Sequence, residues 1–116
     1  MRADETPENL DLQLELVRLT QTTSASEQVT RVKHIFELVK TKPDPANIDS
    51  ILPLLNHSND AVVYWGAMTI GLYGGSAKAA LPRLEKIASE NRGYGSKTSQ
   101  SGAATAIKRI KAALEK

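Results

Sequence analysis

Apolar residues recur along this chain with a period of about 3.6, the signature of helices that bury one face. Thr6 followed by Pro7 is a cap with proline at the first helical position, and it opens a predicted helix over 7–21. "SASE", with Ser24 and Glu27 as its ends, fits a capping box and opens a second helix over 25–41. Val29, Val32, Ile35, Phe36 and Val39 fall on one face of it. Asp44 then Pro45 begins a third helix that runs to about Asn56. Asn59 or Asp60 caps a fourth that runs to about Tyr73. The pair Gly74-Gly75 is a helix stop of the left-handed kind that glycine permits. Ser76 begins a fifth helix, to about Glu90, and after a long loop a sixth spans about Thr98 to Leu114. Ala103, Ala106, Ile107, Ile110, Ala113 and Leu114 form the apolar stripe of the sixth.

Two segments depart from a simple amphipathic pattern. "LDLQLELVRL" at 10–19 alternates as a strand would, but its helical flanks and Thr-Pro start favour a helix. On a helical wheel it carries two opposed stripes, Leu10/Leu14/Val17 and Leu12/Leu16/Leu19. Such a helix is wedged between neighbours, or meets another chain through Leu12, Leu16 and Leu19, or packs on an upstream repeat. The second segment, between Asp60 and Lys78, holds seventeen residues without a charged side chain or histidine. Its length and its glycines, Gly66, Gly71, Gly74 and Gly75, make it a poor membrane span. Val62, Trp65, Gly66, Thr69, Ile70, Leu72 and Tyr73 share the face expected to be buried, while Tyr64, Ala67, Met68 and Gly71 lie on the other side. A solvated face would carry charge there. Either the fourth helix is central and covered on nearly all sides, or these four residues line an open surface that receives a protein partner.

Internal repetition organises the chain. "ILPLL" at 51–55 resembles "ALPRL" at 80–84, with Pro53 and Pro82 in register, and "GAMTI" at 66–70 resembles "GAATAI" at 102–107. The second offset exceeds the first by seven residues, which fall in the loop "ENRGYGSKTSQ". The pattern predicts three helical hairpins, with an insertion in the last. The run "ILPLLNHSNDAVVYWGAMTIGLYGGSAKAALPRLEKIASE" resembles a bacterial HEAT-like repeat, over 44–116 by motif and over 7–42 by helix pairing. That resemblance implies an all-α fold: a short right-handed alpha-alpha superhelix of about three HEAT-like helical hairpins, six helices in all. It also implies partner binding on a concave face. Val63 stands where the family usually has an arginine, so the Asp–Arg ladder that often ties such repeats together is not expected in its usual form.

Composition narrows the function classes. The 116 residues suit one domain, 1–116, with hairpins at about 7–41, 45–73 and 76–115. There is no cysteine, which excludes disulfides, a thiol nucleophile and a cysteine zinc site. "MRADETPENL" holds no apolar core segment, so no secretory signal is expected and a cytoplasmic location is. Charge is polarised: residues 1–75 hold six Lys/Arg against ten Asp/Glu, a balance of −4, and residues 76–116 hold nine against three, a balance of +6. A field of that kind can steer partners.

Several stretches look chemical without meeting the requirements of chemistry. "RGYGSKTS" at 92–99 lacks the Gly-Lys-Ser/Thr order and the preceding strand of a phosphate loop. Arg92, Tyr94 and Lys97 are instead candidates for contact with an acidic partner or a nucleic-acid backbone. His57 and Asp60 are spaced to bring a base near a carboxylate, but capping explains the carboxylate more simply. His34 sits among charged residues, and "DPANID" lacks the spacing and glycine of a calcium loop, so neither a metal nor a cofactor is expected. HEAT-like relatives include DNA glycosylases and bilin lyases, yet no nucleophile, base and orienting group stand together here, so the resemblance is not extended to enzymatic activity. The expectation is a non-enzymatic binding module, an adaptor or an immunity-type protein, with Tyr64, Ala67, Met68, Gly71, Arg92, Tyr94 and Lys97 facing the partner. The alternative is nucleic-acid or acidic-partner binding through the basic C-terminal third, with Arg92, Lys97, Lys108, Arg109 and Lys111.

Overall fold

The computed structural model describes residues 7–90 and 96–115, with side chains described over 10–90 and 99–115. It is all-helical, with no strand among the described residues. Helix α1 spans Pro7–Gln21 and α2 spans Ala25–Thr41. A 3-10 turn at Pro45–Asn47, the short α3 at Ile48–Ile51 and a second 3-10 turn at Leu52–Asn56 make up the third element. Helix α4 is Asp60–Gly71, α5 is Leu81–Ser89 after a 3-10 segment at Gly74–Ala80, and α6 is Ser96–Leu114.

The termini follow local chemistry. Glu27 N–H donates to the Ser24 side chain at 3.5 Å to start α2, and Ala61 N–H donates to Asn59 Oδ1 at 3.1 Å to start α4. Ala46 N–H donates to Asp44 Oδ1 at 3.0 Å ahead of the third element. That element is broken where one continuous helix was expected. Pro53 has no N–H to give and its ring crowds the carbonyl four residues back, so the backbone tightens into a 3-10 turn. Pro82 marks the reverse switch, from 3-10 to α, near the start of α5. Gly74 takes φ +57°, the left-handed turn expected after α4.

Polar clips show how the helices run. Asn59 Nδ2 donates to Ala25 O at 3.2 Å and to Gln28 Oε1 at 3.0 Å, bringing the start of α4 to the start of α2. Ser99 N–H donates to Asp60 Oδ2 at 3.2 Å, bringing the first turn of α6 to the same end. Further along, Phe36 of α2 meets Trp65 of α4, and Gly71 of α4 meets Ala106 of α6. Helices α2, α4 and α6 therefore lie side by side and parallel, with α4 in the middle. Helix α1 packs on α2, the third element on α4, and α5 on α6. The molecule is 18 Å thick in its smallest dimension, which fits two layers of helices about 10 Å apart.

The core lies between the layers. Val32, Ile35, Ile51, Val62, Val63, Ile70, Leu84, Ile87 and Ile110 are completely buried in it. Burying each of these side chains contributes about 1.5–3 kcal/mol before chain entropy is set against it. Val63 belongs to this set. Amide and carboxylate clips at Gln28, Asn59 and Asp60 tie these helices together at their starts.

Candidate binding surface

The uncharged stretch proves to be the centre of the packing. Tyr64, Ala67, Met68 and Gly71 lie along one line of α4, and α6 covers most of that line. A Cβ at Gly102 would stand 2.8 Å from Tyr64 Cδ1 and 3.0 Å from the Tyr64 carbonyl oxygen. A Cβ at Gly71 would stand 3.1 Å from Ala106 Cα. The two glycines thus let α4 and α6 approach backbone to backbone. Ala67 and Gly71, expected on an open surface, are buried beneath α6, Ala67 with no exposed area. This corrects their assignment as partner-binding residues: a short side chain beside a close helix crossing is covered.

Tyr64 and Met68 are longer and reach past the crossing, so both remain half-buried. They join a row of aromatic residues on the outer side of the parallel helices. Phe36 and Trp65 meet edge to face with ring centroids 5.3 Å apart and planes at 65°. Trp65 and Tyr64 do the same at 5.2 Å and 83°. Lys33 Nζ sits 5.7 Å from the centroid of the Trp65 ring, within cation–π range. Phe36 and Trp65 are half-buried like Tyr64. The result is a strip running from α2 across α4 to the edge of α6, apolar along its length and basic at the α2 end. Sequence reading assigned Phe36 and Trp65 to the core. Each sits at the margin of its apolar face, where a large ring is covered on one side only.

Arg92 and Tyr94 lie outside the described residues, and Lys97 falls within α6 at a position whose side chain is not described. Lys108, Arg109 and Lys111 are exposed on α6, and the aliphatic stem of Arg109 passes over Gly71. His57 and Asp60 act separately. His57 Nδ1 accepts the Asn59 N–H at 2.9 Å, while Asp60 holds the first turn of α6. Among the described residues no cluster of three or more His, Asp or Glu could hold a metal, and no helix is long and apolar enough to cross a membrane.

In helix α1 the stripe considered for contact with another chain is the one turned inward. Leu12 and Leu19 are 3% and 2% exposed and Leu16 is half-buried, so these leucines form the core contact with α2 and are not a self-association surface. The outward stripe is Leu10, Leu14 and Val17, each about half exposed (54%, 46% and 51%). Between the buried leucines lies Glu15, only 3% exposed. Its Oε1 accepts from Arg31 at 3.0 Å and from Arg18 at 3.2 Å, and its Oε2 pairs with His34 Nδ1 at 3.0 Å. Burial alone would push the Glu15 carboxyl up. The hydrogen bonds of His34 and Arg18, with the charge of Arg31, outweigh it and hold the group below its ordinary 4.5. Tyr73 shows burial unopposed: its hydroxyl has no hydrogen-bond partner among the described residues, and burial, with the charge of Asp44, pushes it up to about 12.

Compared with protein-family models, with curated proteins and with solved structures, the chain finds no match.

Proposed function

We propose that this chain is a short right-handed α-solenoid of three HEAT-like hairpins that works as a non-enzymatic protein-binding module. On this reading the parallel helices α2, α4 and α6 form the concave layer, as second helices do in such repeats. The observation that carries the proposal is the half-exposed strip of Phe36, Trp65, Tyr64 and Met68 with Lys33 beside it. Rigid aromatic rings and an adaptable methionine supply large contact area at small entropic cost, and they are the residue types enriched where proteins meet. A fitting partner offers an apolar side chain to the strip and an acidic group near Lys33. An adaptor, or a protein that blocks another by occupying it, needs nothing more. The test is a photo-crosslinking side chain placed at Phe36, with a second placed at Lys86 on α5 as control. A native extract should give a discrete adduct from the first position and not from the second. Equal labelling from both would remove the strip as the site.

A second reading rests on the exposed Lys108, Arg109 and Lys111 of α6, which could meet phosphates. It predicts nucleic-acid binding that falls steeply with added salt. Absence of binding to mixed-sequence DNA and RNA at low salt would end it.

A further inference from the structure

We infer that helix α1 is the contact surface for a second copy of this chain, joined to its counterpart antiparallel about a two-fold axis at Leu14. The starting point is the stripe of Leu10, Leu14 and Val17, half exposed and set at the i, i+4, i+7 spacing of a helix–helix seam. It points away from the body of the molecule, because Leu12, Glu15 and Leu19 on the opposite side of α1 are the residues that α2 covers. Among the described residues, a second copy would therefore approach α1 on the side that α2 leaves uncovered.

Charge selects the occupant and its direction. Asp11 and Arg18 are both exposed, and they lie two turns apart on the same flank of the stripe. In a two-fold antiparallel pair the same flanks face each other with their order reversed. Leu14 then faces Leu14, Leu10 faces Val17, and Asp11 of each copy faces Arg18 of the other. Two ion pairs form where the isolated chain offers one acid and one base. A parallel pair would set this flank against the opposite one, which carries Gln13 and Thr20, and would gain no ion pair. Arg18 keeps donors for this purpose: one guanidinium nitrogen serves Glu15, and the side chain is 49% exposed. The opposite flank is already fixed, since Gln13 Nε2 donates to Asn47 Oδ1 at 3.3 Å. The contact involves a single helix from each copy, so the dimer belongs to the small, reversible class of interfaces.

Sedimentation velocity from low to high micromolar concentration tests this, with Asp11→Lys and Arg18→Glu variants shown by circular dichroism to keep their helicity. The wild type should pass from monomer to dimer. Either variant alone sets like charges against each other twice, and its dimerisation should weaken by about tenfold. An equimolar mixture of the two restores both opposite-charge pairs, and association should return toward the wild-type level. A wild type that stays monomeric overturns the inference, whatever else covers the stripe. So does a mixture that associates no better than either variant alone. Leu14→Cys gives an independent check, because the chain has no other cysteine. Mild oxidation should link two copies through Cys at the axis, and failure to link would contradict the proposed register.

Discussion

Glu15 is a carboxylate placed inside an apolar stripe, and Arg31 and His34 of α2, which meet it there, decide which face of α1 turns inward. Its partners remain partly in water, with Arg18, Arg31 and His34 side chains 49%, 35% and 54% exposed. Removing it therefore leaves no buried charge stranded. Glu15→Ala should cost about 1–3 kcal/mol at neutral pH, read as a shift in the urea midpoint. The pH dependence has a definite sign. A carboxyl held lower in the folded than in the unfolded state stabilises fully above 4.5 and loses that contribution as pH falls through its folded value. The difference between wild type and Glu15→Gln should accordingly shrink in acid well below 4.5. A difference that persists there would assign the effect to packing. At Gly102 the limit is space. A methyl group would press on the Tyr64 carbonyl oxygen at 3.0 Å, which cannot move without moving α4. Overpacking of about 1–3 kcal/mol should exceed the gain of up to about 1 kcal/mol in helix propensity, so Gly102→Ala should lower the melting temperature. Gly75→Ala meets only the flexible tip of Leu114, and it should change the melting temperature little.

At the level of elements, the clips at the helix starts fix the parallel arrangement. Asn59 caps its own helix and holds Ala25 O and Gln28 Oε1 of α2 with the same side chain. Asn59→Ala should cost about 1–2 kcal/mol as a lost cap alone. It should also raise amide exchange at the first turn of α2, which a capping role confined to α4 would leave unchanged. These elements were largely legible in the sequence, because caps and stops act over three or four residues. Ser24, Asn59 and the Gly74 turn stand where their chemistry placed them. What was not legible depended on distant partners. The two leucine stripes of α1 are equivalent on a wheel, and only Arg31 and His34, in the next helix, distinguish them. The breaks at Pro53 and Pro82 were marked by the prolines themselves, but the register pattern was read as continuous helix.

For the whole molecule, the lack of charge between Asp60 and Lys78 has a packing explanation. Helix α4 touches α2, α6 and the 3-10 segments on either side, so no full face of it meets water. The open-surface reading failed at Ala67 and Gly71 because the approach of α6 depends on Gly71 and Gly102, spaced far apart in the chain and meeting only in the fold. What survives of the candidate site, Tyr64 and Met68, gains Trp65 from the same helix and Phe36 and Lys33 from α2. We propose that this strip receives a protein partner. Its most direct test is quantitative capture from native extract by three folded forms: wild type, Lys33→Glu/Met68→Glu, and Lys108→Glu/Lys111→Glu. A protein should be retained by the wild type and by the α6 variant and lost by the strip variant. Retention by the strip variant with loss by the α6 variant would contradict it, and would move function to the basic end of the chain.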